Sequence, residues 1–144
     1  MGTPPDLKTR FREARALQDA GRNDAAVHLL SELVSDYPEK AVLRWSLGYA
    51  YLDSGEPEKS IIHFEEAIRI DPESVPGRGG LGQAYADLEN WDLAEEAFRK
   101  RLALRDDANH SLFLAEVLNA KDDHIGALRC CERATALRPD DAKG

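Results

Sequence analysis

The stretch AVLRWSLGYAYLDSGEPEKSIIHFEEAIRIDPES, residues 41–74, decides the fold, because its landmarks return one interval later. Leu47, Gly48 and Tyr51 reappear 34 residues on as Leu81, Gly82 and Tyr85. Phe64 returns as Phe98, and Ser60 is answered by Ala94. Within each half, apolar residues fall every three or four positions, as at Ile61, Phe64, Ala67 and Ile68, the spacing of one helix face. Gly55 punctuates the middle and Pro72 the end, so each copy reads as two helices joined by a turn.

Weaker copies extend the pattern in both directions. Upstream, Ala14, Leu17, Ala26, Leu30, Leu33 and Pro38 occupy equivalent places. Downstream, a register one residue shorter aligns Leu114, Ala115, Leu118, Ala127, Cys131, Ala134 and Pro139. Four units follow: 7–40, 41–74, 75–107 and 108–141, with 142–144 as a tail. A repeat of this length with these residues resembles the tetratricopeptide family. The resemblance covers nearly the whole chain and implies an all-α, right-handed solenoid of four helix–turn–helix units forming one domain. Eight helices are expected, over roughly 6–20, 23–36, 40–54, 57–70, 75–88, 91–104, 108–120 and 124–137. Gly48 and Gly82 let helices approach, while Tyr51, Phe64, Tyr85, Phe98 and Trp91 fill the gaps.

Composition narrows the function. The chain has 144 residues, is 42% hydrophobic and 32% charged, and carries a net charge of −8. No unit is basic, so the cationic face that displaces counterions from nucleic acid is missing, and no nucleic-acid partner is expected. No run approaches about 18 apolar residues, so membrane insertion is not expected. The opening Met1–Asp6 has no basic stretch followed by an apolar one. Cys130 and Cys131, the only cysteines, are adjacent and poorly placed to bond each other. A reduced, cytoplasmic setting is the simplest expectation.

The resemblance implies that the first helix of each unit lines a concave groove that holds a protein or peptide. Carried onto this sequence, that face offers Phe11, Arg12 and Arg15, then Trp45 and Tyr49, then Gly79 and Gln83, then Phe113 and Glu116. Trp45 and Tyr49 lie four apart, off the face that carries Leu47 and Tyr51, so they are expected to form an aromatic wall. Gly79, at the place equivalent to Trp45, would floor a recess beside it. The competing reading packs Trp45 onto a neighbouring helix. Arg12 and Arg15 would make one end of the groove positive, unless they pair with Glu13 and Asp19; Asp53, Asp87 and Glu116 make the rest acidic. A family mode that grips a C-terminal carboxylate through Lys and Asn finds Phe11, Arg15, Ser46, Pro76 and Gly80 at its positions, so that clamp is not expected. Arg10, Arg44 and Arg78 recur at the unit interval and are read as solubility and register features.

No catalytic constellation stands out, and neither a cofactor nor a metal is expected. His28, His63, His110 and His124 fall at different unit positions. His63 and Glu66, three apart, make two ligands of the three or four a metal site needs. Cys131 falls in the register of Phe64 and Phe98, which places it in the core with Cys130 outward. The sequence stops at Gly144, where a further unit or capping helix would begin, leaving Leu118, Leu128 and Cys131 as expected self-association residues. The leading expectation is a non-enzymatic scaffold for a partner protein. The alternatives are a self-assembling module, forming a homo-oligomer, or the regulatory segment of a larger enzyme or secretion-system protein.

Overall fold

The computed structural model describes residues 3–138 and is all helical. Eight helices run α1 Leu7–Asp19, α2 Asn23–Asp36, α3 Ala41–Asp53, α4 Pro57–Ile70, α5 Val75–Asp87, α6 Trp91–Leu104, α7 Ala108–Ala120 and α8 His124–Leu137. Each expected helix is present, and no boundary moves by more than one residue. Pro139, expected to follow the last helix, and the tail lie outside the described residues, as do Met1 and Gly2.

The helix ends have local causes. Asp6, Asn90, Asp107 and Asp123 cap α1, α6, α7 and α8 by accepting backbone N–H bonds from the first turn. Pro57 begins α4, where its missing N–H costs no helical bond. The four turns inside the units each place one residue in the left-handed region: Gly21 (φ 75°), Gly55 (76°), Glu89 (58°) and Asp122 (63°). Glycine enters that region without a Cβ clash; Glu89 and Asp122 enter it at a cost.

The helices group into two compact units that divide between Ser74 and Val75, a boundary the repeat also marks. In the first, α1–α4, each helix packs on its sequence neighbour. Ala14, Ala26, Leu30, Leu33, Leu43 and Leu47 are buried there, with Phe11 and Tyr51 packed against them. In the second, α5–α8, Ala94, Phe98, Leu114, Val117, Leu118 and Ala127 form the core. The two phenylalanines share one device. A Cβ built on Gly48 would lie 2.7 Å from Phe64 Cε1, and one on Gly82 would lie 2.6 Å from Phe98 Cδ1. Glycine is required at both places because the ring of the second helix sits on the backbone of the first.

Two expectations in the last repeat are corrected. Leu118 is 2% exposed, enclosed by the second core rather than left open. Cys131 is exposed and Cys130 packs on the core, the reverse of the register-based assignment. The reason is a missing neighbour. The Phe98 ring lies between Gly82 of α5 and Phe113 of α7, whereas no helix among the described residues follows α8 to enclose residue 131. Burial raises the Cys130 thiol above its ordinary value, which disfavours its reactive thiolate form.

Candidate functional site

In the first unit, α3 carries an aromatic relay from the surface into the core. Trp45 meets Tyr49 edge to face with ring centroids 6.2 Å apart, and Tyr49 meets Phe64 in the same way at 4.9 Å. Trp45 and Tyr49 are half-buried, while Phe64 is fully enclosed. The helix turn puts the first two side chains on one stripe, and Phe64 locks that stripe from below. Phe11, expected on the groove, packs against the core of the same unit and is half-buried. Arg12 and Arg15 are exposed, and the alternative pairing with Glu13 or Asp19 is not formed among the described residues. Arg10 does pair, with Asp36 at 3.0 Å and Glu32 at 3.7 Å, tying α1 to α2.

In the second unit, Gln83, Phe113 and Glu116 come together. They border a cavity of about 320 Å³ between α5, α6 and α7, together with Asp87, Trp91 and Phe98. Trp91 and Phe113 are half-buried on its walls; Phe98, 1% exposed, belongs to its base. Asp87 and Glu116 are exposed and form no ion pair among the described residues.

Gly79 does not floor an open recess. It is buried, and a Cβ there would lie 2.8 Å from His110 Nε2: the imidazole fills the space that a side chain would need. His110 is held on its other side, where Nδ1 lies 3.0 Å from Asp107 Oδ2 and the His110 backbone N–H donates to Asp107 Oδ1 at 2.9 Å. Arg101, 6% exposed, pairs with the same carboxylate and donates to the Arg105 carbonyl. With Asp107 accepting at Nδ1, the proton sits there and the bare Nε2 faces Gly79, buried and without a hydrogen-bond partner among the described residues. Burial, aided by the Arg101 charge, lowers the His110 pKa below its ordinary value against the pull of Asp107. Burial works to raise the Asp107 carboxyl, but the His110 hydrogen bonds and the Arg101 charge outweigh it and hold it low.

Nothing in the expected site residues pointed to this cluster, although a signal existed. Arg101 stands where Ala67 and Ala134 stand, a charge in a slot for a small residue. The other histidines do not join it. His63 stacks on Tyr51 at 5.4 Å, and burial lowers its pKa; His28 lies 3.3 Å from Glu32; His124 lies 3.0 Å from Asn119 Oδ1. No group of three or more potential metal ligands occurs among the described residues. On α8, Leu128 (60% exposed) and Ile125 (71%) face outward with Cys131.

The tetratricopeptide repeat model matches residues 11–75 and 80–142. The chain belongs to the tetratricopeptide repeat family. Superkiller protein 3 of Schizosaccharomyces pombe is 33% identical over 114 residues, 76% of this chain but 8% of its own length. Anaphase-promoting complex subunit 6 of Arabidopsis thaliana is 29% identical over 67% of this chain and 18% of the relative. This tetratricopeptide protein thus spans less than a fifth of either relative. Among solved structures, the thermophilic protein TTC0263 from Thermus thermophilus superposes with a TM-score of 0.86 at 24% identity, covering 98% of this chain and 78% of that one. A crystal structure of MamA gives 0.82 at 20% identity, covering 95% and 77%. At such identities the likeness is one of fold. In this tetratricopeptide protein the general role of the family is protein interaction, and no described helix is long and apolar enough to cross a membrane.

Proposed function

We propose that this protein is a non-enzymatic scaffold that holds a segment of a partner protein against the first helices of its repeats. The observation that carries the reading is the Trp45–Tyr49–Phe64 relay: two half-buried aromatics braced from below by an enclosed one. Such side chains present large apolar area with little freedom left to lose, which is the character of residues that dominate interface energy. Arg12 and Arg15 in the first unit, and Gln83, Phe113 and Glu116 in the second, supply polar and aromatic contacts. Two relatives are by name subunits of the anaphase-promoting complex, which supports a role among other proteins. The setting is proposed to be the cytoplasm.

The test is capture from source-cell lysate on wild type and on Trp45→Ala/Tyr49→Ala, with helicity checked by circular dichroism. A protein retained by the wild type and lost from the folded variant supports the groove. Equal retention by both removes it.

A second reading is self-association through α8, favoured by the outward Ile125 and Leu128. Sedimentation across a concentration series decides it: a mass that rises for wild type and stays monomeric for Leu128→Glu supports this reading, and a constant monomer mass for wild type removes it.

A further inference from the structure

The cavity of the second unit combines aromatic walls with carboxylates that lack counter-ions. Trp91 and Phe113 offer ring surface, and Asp87 and Glu116 stand at the same opening without an ion-pair partner among the described residues. Several other acids of this unit do pair with cations, while Glu89, Asp123 and Glu132, like Asp87 and Glu116, form no ion pair among the described residues. Glu95 pairs with Arg99 at 2.9 Å and with Lys121 at 2.9 Å; Glu96 pairs with Lys100 at 2.8 Å; Asp106 pairs with Arg133, and Asp107 with Arg101. What marks the cavity is its lining: two carboxylates beside aromatic side chains, with no Lys or Arg of the described residues on its walls.

That chemistry selects its occupant. Ring faces attract cations through the aromatic quadrupole, and two nearby carboxylates add to the same field. A long basic side chain matches both features, since its methylene stem can lie on apolar surface while its charged head reaches the acids. An acidic side chain would be repelled, and a purely apolar one would strip water from Asp87 and Glu116 without replacing it. The net charge of −8 draws basic segments in the same direction.

We propose that this cavity is a specificity pocket for one lysine or arginine side chain of a partner segment, so that the ligand is a basic peptide rather than an acidic or wholly apolar one. The proposal rests on the scaffold reading above and adds the chemistry of the ligand. Gln83, at the rim, supplies an uncharged hydrogen-bonding group beside the acids.

The test is selection of a displayed random peptide library on the full chain, followed by titration of the selected peptides by fluorescence anisotropy. Each peptide is measured against wild type and against Asp87→Asn/Glu116→Gln; both residues are exposed, so the variant retains the fold, and circular dichroism checks it. The expected result is a recurrent Lys or Arg whose replacement by Gln weakens wild-type binding about tenfold. The same replacement should change binding to the variant by less than about twofold. Peptides bound through the groove but indifferent to basic residues, or equally dependent on them in both proteins, overturn the pocket and leave the scaffold reading standing. If wild type selects no peptide, both readings fall; peptides that Trp45→Ala/Tyr49→Ala binds equally well overturn the α3 reading alone.

Discussion

Replacing Gly82 with alanine tests how the second unit is packed. The added Cβ would lie 2.6 Å from Phe98 Cδ1 and Cε1 and 2.9 Å from Cζ, against an ordinary carbon–carbon separation of about 3.5–4.0 Å. The ring would have to retreat by roughly 1 Å to restore that separation. It has nowhere to go: it is 1% exposed, stacked on Phe113 with centroids 5.9 Å apart, and beside His110 at 6.1 Å. Overpacking of this kind costs about 1–3 kcal/mol, while alanine gains about 1 kcal/mol over glycine in helix propensity. The net expectation is a loss of up to about 2 kcal/mol, which lowers the thermal midpoint by up to about 8 °C. Calorimetry on wild type, Gly82→Ala and Gly82→Ala/Phe98→Leu measures it, and the smaller side chain should return part of the loss. A Gly82→Ala protein more stable than wild type by about 1 kcal/mol would mean that propensity alone governs the site, and would refute the packing argument. Gly48 facing Phe64 should behave alike in the first unit.

Other outcomes follow from the same contacts. Glu89 and Asp122 take the left-handed turn position that Gly21 and Gly55 hold elsewhere, so Glu89→Gly should raise stability by about 0.5–1 kcal/mol in chemical denaturation; a decrease would show that the turn needs the side chain. His63 and His110 have folded pKa values below their ordinary ones, mainly through burial. Protons then bind the unfolded chain first, so their contribution is present above about pH 6.5 and is lost as pH falls from there through the folded values. Urea midpoints across that range check it, and a midpoint that climbs as pH drops, with the same trend in His63→Phe, would contradict it. Leu118→Glu should unfold the second unit, whereas Leu128→Glu should change stability by less than about 0.5 kcal/mol, since only the first side chain is enclosed. Equal melting of the two variants would place Leu118 at the surface after all.

The sequence and the structure agree where a local signal sets the outcome. Helix ends follow from residues close at hand, such as Pro57 at a first turn and Gly55 at a left-handed one, so all eight helices are legible within a residue. The pairing of Gly48 with Phe64 and Gly82 with Phe98 is legible because both members recur at the repeat interval. Departures arise where a neighbour from another helix decides. Gly79 looks like an open floor until His110, two helices away, occupies it. Arg101, Asp107 and His110 come from the end of one helix, a cap and the start of the next, and no spacing rule of a single helix joins them. Cys130 and Cys131 exchange roles where no helix among the described residues follows α8 as α7 follows α6 beside Phe98. For the candidate site, the α3 aromatics and four members of the cavity border, Gln83, Asp87, Phe113 and Glu116, were readable from the repeat register. The part played by Trp91 required the three-helix geometry.

The most direct test of the scaffold is calorimetric titration of a captured partner segment into wild type and into Trp45→Ala/Tyr49→Ala. The expected result is a loss of affinity of at least about tenfold in the variant, with its helicity unchanged. Equal affinity in a folded variant would contradict the claim that the α3 aromatics hold the partner.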